Sequence, residues 1–114
     1  MHELGIVFNI VASVENFVAQ NQLTTVRSIT LQVGEICTVV PKYLVDCFPA
    51  AVDKSALLHD TKLKIEIIPA TCVCHDCFEV FSLIKHKQTC PDCGSTDTEI
   101  ISGKELEIKE IEAF

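Results

Sequence analysis

Residues 72–94 read CVCHDCFEVFSLIKHKQTCPDCG. Two Cys-x-x-Cys pairs lie in this stretch, Cys74/Cys77 and Cys90/Cys93, separated by twelve residues. A Cys-x-x-Cys turn aims two sulfurs at one point, and two such turns supply the four thiolates that a closed tetrahedral Zn²⁺ site takes. The separation is slightly shorter than is usual for paired motifs of this kind. Phe78 and Val80 alternate in it with polar neighbours, which predicts a small hairpin between the pairs. Pro91 and Gly94 suit a tight turn at the second pair, since proline presets one dihedral and glycine accepts a positive one. Two redox dithiols, or cysteines buried only for packing, are the competing readings. A dithiol oxidoreductase would use one thiolate as nucleophile, usually at a helix N-terminus after a strand; four cysteines committed to zinc leave none for exchange.

The 114-residue chain is long enough for one domain, or one small domain with an inserted module. Its 48% hydrophobic fraction allows a core, and a chain this short gains from a metal staple. No run of eighteen apolar residues is present, so no membrane span is expected. Residues 1–20 are interrupted by Glu3, Asn9, Glu15 and Asn16 and lack a basic start, so they do not read as a signal peptide. Seven cysteines without an export signal read as reduced and metal-binding, which places the protein in the cytoplasm. The formal net charge is −7, and a four-thiolate zinc site would deepen it. Zinc ribbons that hold nucleic acid do so with clustered Lys and Arg. This one carries Lys85 and Lys87 against Asp76, Glu79, Asp92 and Asp97, which argues against phosphate binding and for a protein partner or a cation.

Around the cysteine stretch the pattern is that of an α/β (α+β) domain. Ile6, Val7, Ile10, Val11, Val14, Phe17 and Val18 recur at helical spacing and predict an amphipathic helix over 3–20. Ile29, Leu31 and Val33 alternate with Thr30 and Gln32, predicting a half-buried strand within 24–35 that Gly34 ends or bends. Pro41 opens a helix whose apolar face is Leu44, Cys47, Phe48 and Val52. Pro49 predicts a kink or break near Cys47, with 50–58 as a second helical piece. Leu63, Ile65 and Ile67 predict a strand over 62–69, and Leu106 and Ile108 another over 104–111. The expected domains are therefore an α/β part, 1–69 plus 103–114, and a zinc ribbon, 70–102.

The opening Met1-His2-Glu3 is a second place with chemistry. His2 is bulky, so Met1 is expected to be retained. A terminal amine, deprotonated backbone amides and the His2 imidazole together make a planar, nitrogen-rich set that suits Ni²⁺ or Cu²⁺. Its affinity would fall as pH drops, because the ligands must lose protons. Taken alone this signal is weak, since an N-terminal histidine is far more often a solvated surface residue.

The combination of MHE at the start, a strand ending VGE, a proline-initiated helical region, CxxC followed by CPxCGS, and a terminal GKELEIKEIE closely resembles the HypA/HybF family across essentially the whole chain. That family supplies nickel during maturation of [NiFe]-hydrogenases, and some members serve urease. The resemblance implies two helices packed on a small three-stranded sheet, bearing an inserted zinc-ribbon module. It implies a Ni(II) cargo site at His2, with the amine of Met1 and the backbone of Met1 and Glu3, and structural Zn(II) on Cys74, Cys77, Cys90 and Cys93. It also implies a HypB-type GTPase and the hydrogenase large subunit as partners. The sequence shows no Ser/His/Asp grouping, Gly-rich phosphate loop or paired catalytic carboxylates, so no enzymatic activity is expected, and monomer and homodimer both stay open. Cys72 adds a fifth thiol, read as a buried strand-end residue that could exchange with Cys74. Cys37 and Cys47 read as small core hydrophobes. His75 and His86 read as surface histidines, with exchange into the zinc site as the alternative. The rival function is a zinc-ribbon adaptor that binds only protein, without nickel transfer.

Overall fold

The computed structural model describes residues 2–53 and 55–114, and for His2 the backbone only. Helix α1 spans His2–Gln20, strand β1 Val26–Gly34, helix α2 Pro41–Val52 and strand β2 Lys62–Ile68. Strands β3 (Thr71–Cys74) and β4 (Val80–Ser82), a single helical turn α3 (Leu83–His86), and strands β5 (Thr98–Ser102) and β6 (Leu106–Ala113) follow. The strands form two three-stranded sheets, ordered β2-β1-β6 and β4-β3-β5. Mixed α/β architecture with a small three-stranded sheet and a four-cysteine module is thus what the chain adopts.

The chain divides into two compact units, one of 1–32, 38–66 and 107–114, the other of 33–37 and 67–106. In the first, α1 packs on α2. Val7, Ile10, Val11, Val14 and Val18 are buried along α1, as their spacing requires. Phe17, expected in that stripe, stands 43% exposed at its edge. Helix α1 stops where Gln22 turns left-handed (φ 57), with the Leu23 amide donating to the Val18 carbonyl at 3.0 Å. The C-terminal residue is tied down: Thr25 and Phe114 exchange backbone hydrogen bonds of 3.1 and 2.8 Å, and the Arg27 guanidinium lies 5.0 Å over the Phe114 ring.

Two expectations fail here for identifiable reasons. Strand β1 is not half-buried, because Ser28 and Thr30 are buried along with Ile29, Leu31 and Val33. It is the central strand, and the Ser28 hydroxyl donates to the Glu112 carboxylate at 3.2 Å, so small polar side chains are covered on the second face. Pro49 does not break α2, which continues through it to Val52. The proline is exposed and only three residues from the helix end, so it forfeits one ladder bond and little else. Among the described residues the second helical piece is absent: residues 56–60 form turns, where the Ser55 hydroxyl accepts from the Leu58 amide at 3.1 Å.

The second unit is built on the antiparallel sheet β4-β3-β5. Cys72, facing Phe81 across β4 and Ile100 across β5, lies on the face that packs inward with Cys74, Phe81 and Cys90. The hairpin is not the one alternation predicts. Strand β3 supplies one arm and ends on Cys74, the turn follows through Cys77, and Phe81 is the buried residue, while Phe78 is 76% exposed. Segment 33–37 ties both legs of this unit together. The Glu35 amide donates to Ile68 at 2.8 Å, the Glu35 carboxylate accepts from the Ala70 amide at 2.9 Å, and the Ile36 amide donates to Gly103 at 3.0 Å.

Candidate metal centre

The two Cys-x-x-Cys turns are built alike. In the first, the Phe78 amide donates to the Cys74 carbonyl and the Cys74 amide to the Glu79 carbonyl, both at 2.9 Å. In the second, the Gly94 amide donates to the Cys90 carbonyl and the Cys90 amide to the Ser95 carbonyl, again at 2.9 Å. Closing each turn this way needs a left-handed residue after the second cysteine, met by Phe78 (φ 64) and Gly94 (φ 76).

The turns face each other so that sulfurs pair crosswise. Cys74 Sγ lies 3.5 Å from Cys93 Sγ, and Cys77 Sγ 3.5 Å from Cys90 Sγ. All four sulfurs fall within 4.8 Å of one another. A disulfide needs about 2.05 Å, so these are not bonded pairs. Four sulfurs at the usual Zn–S length sit roughly 3.8 Å apart in a tetrahedron, which this set matches. An all-sulfur donor set is the chemistry zinc takes in structural sites, and the cluster fits it.

The protonation of the cluster supports the same reading. The backbone amide of Cys77 bonds the Cys74 sulfur and draws its thiol down to about 7. For Cys77 the backbone amide of Glu79 pulls down, but desolvation and the neighbouring thiols outweigh it and push the group up to about 12. Four sulfurs this close do not all ionise unaided; a cation that displaced the retained protons would release that conflict.

Other candidates are placed elsewhere. Cys72 is fully buried in the small core, where desolvation raises its pKa, and it is not among the gathered sulfurs. The His75 ring is held from both sides, Nδ1 3.0 Å from Asp97 and Nε2 3.0 Å from Glu99. Asp97 first, then Glu99, raises its pKa by stabilising the charged ring. His86 stands edge-on to Phe81, with centroids 6.1 Å apart. Cys37 and Cys47 are half-buried and unbonded to other cysteines. Met1 and the His2 side chain lie outside the described residues, and Glu3 is buried at 5% exposure in the first turn of α1. The holders of His75, Asp97 and Glu99, escaped sequence reading. The left-handed place of Phe78 did too, although aligning CHDCF on CPDCG would have set it opposite a glycine.

Over residues 1–113 the chain matches the family described as hydrogenase/urease nickel incorporation, metallochaperone, hypA. It belongs to the HypA family. A hydrogenase maturation factor HypA from Trichodesmium erythraeum is 38% identical over 113 residues, covering 98% of this chain and 95% of its own length. That from Picosynechococcus is 35% identical over 114 residues and covers 100% of both. Among solved structures, the solution structure of the nickel metallochaperone HypA from Helicobacter pylori superposes with a TM-score of 0.72 at 24% identity, covering 99% of this chain and 97% of that one. A second HypA solution structure gives 0.77 at 24% identity, covering 100% and 97%. These likenesses carry the fold. HypA members are maturation factors for nickel incorporation, and among the described residues of this one no helix is long and apolar enough to cross a membrane.

Proposed function

We propose that this protein is a cytoplasmic nickel metallochaperone that takes Ni(II) at its N-terminus and hands it on during [NiFe]-hydrogenase maturation. The observation that carries the reading is a family match that runs from residue 1 through both cysteine pairs. His2 supplies an imidazole and, with the Met1 amine and the backbone at Glu3, a planar nitrogen set that suits Ni²⁺ and disfavours tetrahedral zinc. An α-helix provides no acceptor within its ladder for the amides of its first turn, so backbone ligation at the start of α1 breaks none of the helix's own bonds. Cys74, Cys77, Cys90 and Cys93 hold Zn(II), which when bound crosslinks the two turns. Nothing in this arrangement is assigned catalysis; any GTP hydrolysis belongs to a HypB-type partner, and the recipient is the hydrogenase large subunit.

The test is a nickel titration of the zinc-loaded protein beside His2→Ala and a version extended by one N-terminal residue. A planar Ni²⁺ absorption spectrum in the parent, lost in both variants, is expected. Equal binding by all three moves nickel away from the N-terminus. No binding by any of them leaves the zinc-ribbon adaptor in its place.

A further inference from the structure

The two metal turns share the two backbone bonds that close them, yet one carries glycine at its left-handed position and the other phenylalanine. A Cβ at that dihedral clashes with the following carbonyl oxygen, so Phe78 is held where glycine would be unstrained. Nor is the ring recovered by burial, since it is 76% exposed. Sites that retain strain and expose an aromatic group are commonly those that meet a partner.

The surroundings of Phe78 specify the kind of partner. Val80, 53% exposed, lies in one cross-strand row with Val73 and Glu99 on the face of the sheet opposite the small core. Glu79 separates Phe78 from Val80 in the chain, and Asp76 sits in the same turn; Asp76, Glu79 and Glu99 are all exposed. His75 bridges Asp97 and Glu99 and offsets part of this charge when protonated. The turn and the strand that follows it thus expose two apolar side chains, Phe78 and Val80, among acidic neighbours. Strand β4 is an edge strand of three residues, too short to recruit another strand, which leaves side-chain anchoring as the mode.

We infer that Phe78 and Val80 form a docking site for a partner protein of the nickel-delivery machinery, one presenting an apolar pocket bordered by Lys and Arg. This rests on the function proposed above. Nucleic acid and anionic membranes are repelled by the acidic border. A second copy of this chain, at a net charge of −7, meets it with like charge.

The test titrates the full-length, zinc-loaded chain against two purified probes, the HypB-type GTPase and the precursor of the hydrogenase large subunit, at about 50 and about 500 mM salt. Phe78→Gly and Phe78→Asn keep a left-handed turn while removing the anchor, and an unchanged zinc content with a melting temperature no lower than the parent's separates lost docking from lost folding. Glu79→Lys reverses the border. One probe is expected to bind both Phe78 variants at least about tenfold more weakly. Glu79→Lys weakens the same probe, more at low salt, and nickel binding through His2 is unchanged in all three. Parent-like binding of both probes by the Phe78 variants overturns the docking site and leaves the nickel reading standing. Self-association of the parent that Phe78→Asn abolishes, with both probes unaffected, assigns the face to a second copy and overturns it as well. A parent that binds neither nickel nor either probe takes both readings down together.

Discussion

Phe78 and Gly94 hold the same place in two turns closed alike: each donates its amide to the first cysteine's carbonyl at 2.9 Å, and each has a positive φ. Their side chains therefore report backbone strain separately from space, because a Cβ at Gly94 would meet nothing within 4 Å. Gly94→Ala is expected to destabilise the zinc-loaded protein by about 1 kcal/mol from the left-handed backbone alone. Phe78→Gly removes that strain but loosens the unfolded chain, for a net between zero and about 1 kcal/mol of stabilisation. Denaturant midpoints of the two variants, measured side by side, check the opposed signs.

Gly34 and Gly103 behave differently, because space is constrained at both, and at Gly103 a positive φ of 92 adds to it. A Cβ on Gly34 would come within 3 Å of the Gly103 carbonyl, and one on Gly103 within 3 Å of the Ala70 backbone. Backbone cannot rotate away as a side chain does. Gly34→Ala and Gly103→Ala are each expected to cost about 3 kcal/mol or more, against about 1 for Gly94→Ala. Equal denaturant midpoints for Gly34→Ala and Gly94→Ala would show that segment 33–37 is not clamped as described.

Metal removal is expected to undo the second unit. Its core is Cys72, Cys74, Phe81 and Cys90, so two of the four buried residues are themselves proposed ligands. A core this small does not hold three short strands unaided. Cys77→Ser or Cys90→Ser should lose bound zinc and collapse the amide dispersion of residues 71–102 in NMR spectra. Acidification should act in the same direction, since thiolate ligands take up protons as the metal leaves. Retained dispersion in metal-free protein would count against the structural role.

A pH dependence with a defined sign belongs to Glu66. The Lys109 ammonium reaches its two carboxylate oxygens at 3.1 and 2.9 Å and is the main cause of a pKa below the ordinary 4.5. A carboxyl depressed in the folded state contributes stability that is complete above its unfolded pKa and is lost as pH falls through the folded one. Both side chains are 44% exposed, so the contribution is small and screened by salt. Carboxyl chemical shifts should place the Glu66 midpoint below 4.5 in the parent and return it toward that value in Lys109→Met. An unmoved midpoint would show that the pair does not persist in solution.

Much of the fold is legible locally. Helix α1 follows from apolar spacing, α2 starts where Pro41 costs nothing, and β1 ends at Gly34. The failures share a cause. Pro49 was expected to break a helix because a ladder bond must be lost; whether one lost bond ends a helix depends on how near the end it falls and whether the site is exposed. The alternation puts Thr30 on a solvent face because it is polar, but the position of β1 between β2 and β6 decides its burial, and with it that of Ser28, which Glu112 reaches.

The sequence by itself determined the family, the two paired-cysteine turns and the order of elements, since spacing, proline and glycine act through short-range geometry that is written in the chain. Only the tertiary structure decided that sulfurs pair crosswise between turns, that His75 is bound by Asp97 and Glu99, and that Gly34 and Gly103 pack backbone against backbone. It alone decided, too, that Phe78 stands strained and exposed where its counterpart is glycine. Those relations join residues from 13 to about 70 positions apart, and contact over such separations is set by how the strands pair rather than by any local preference.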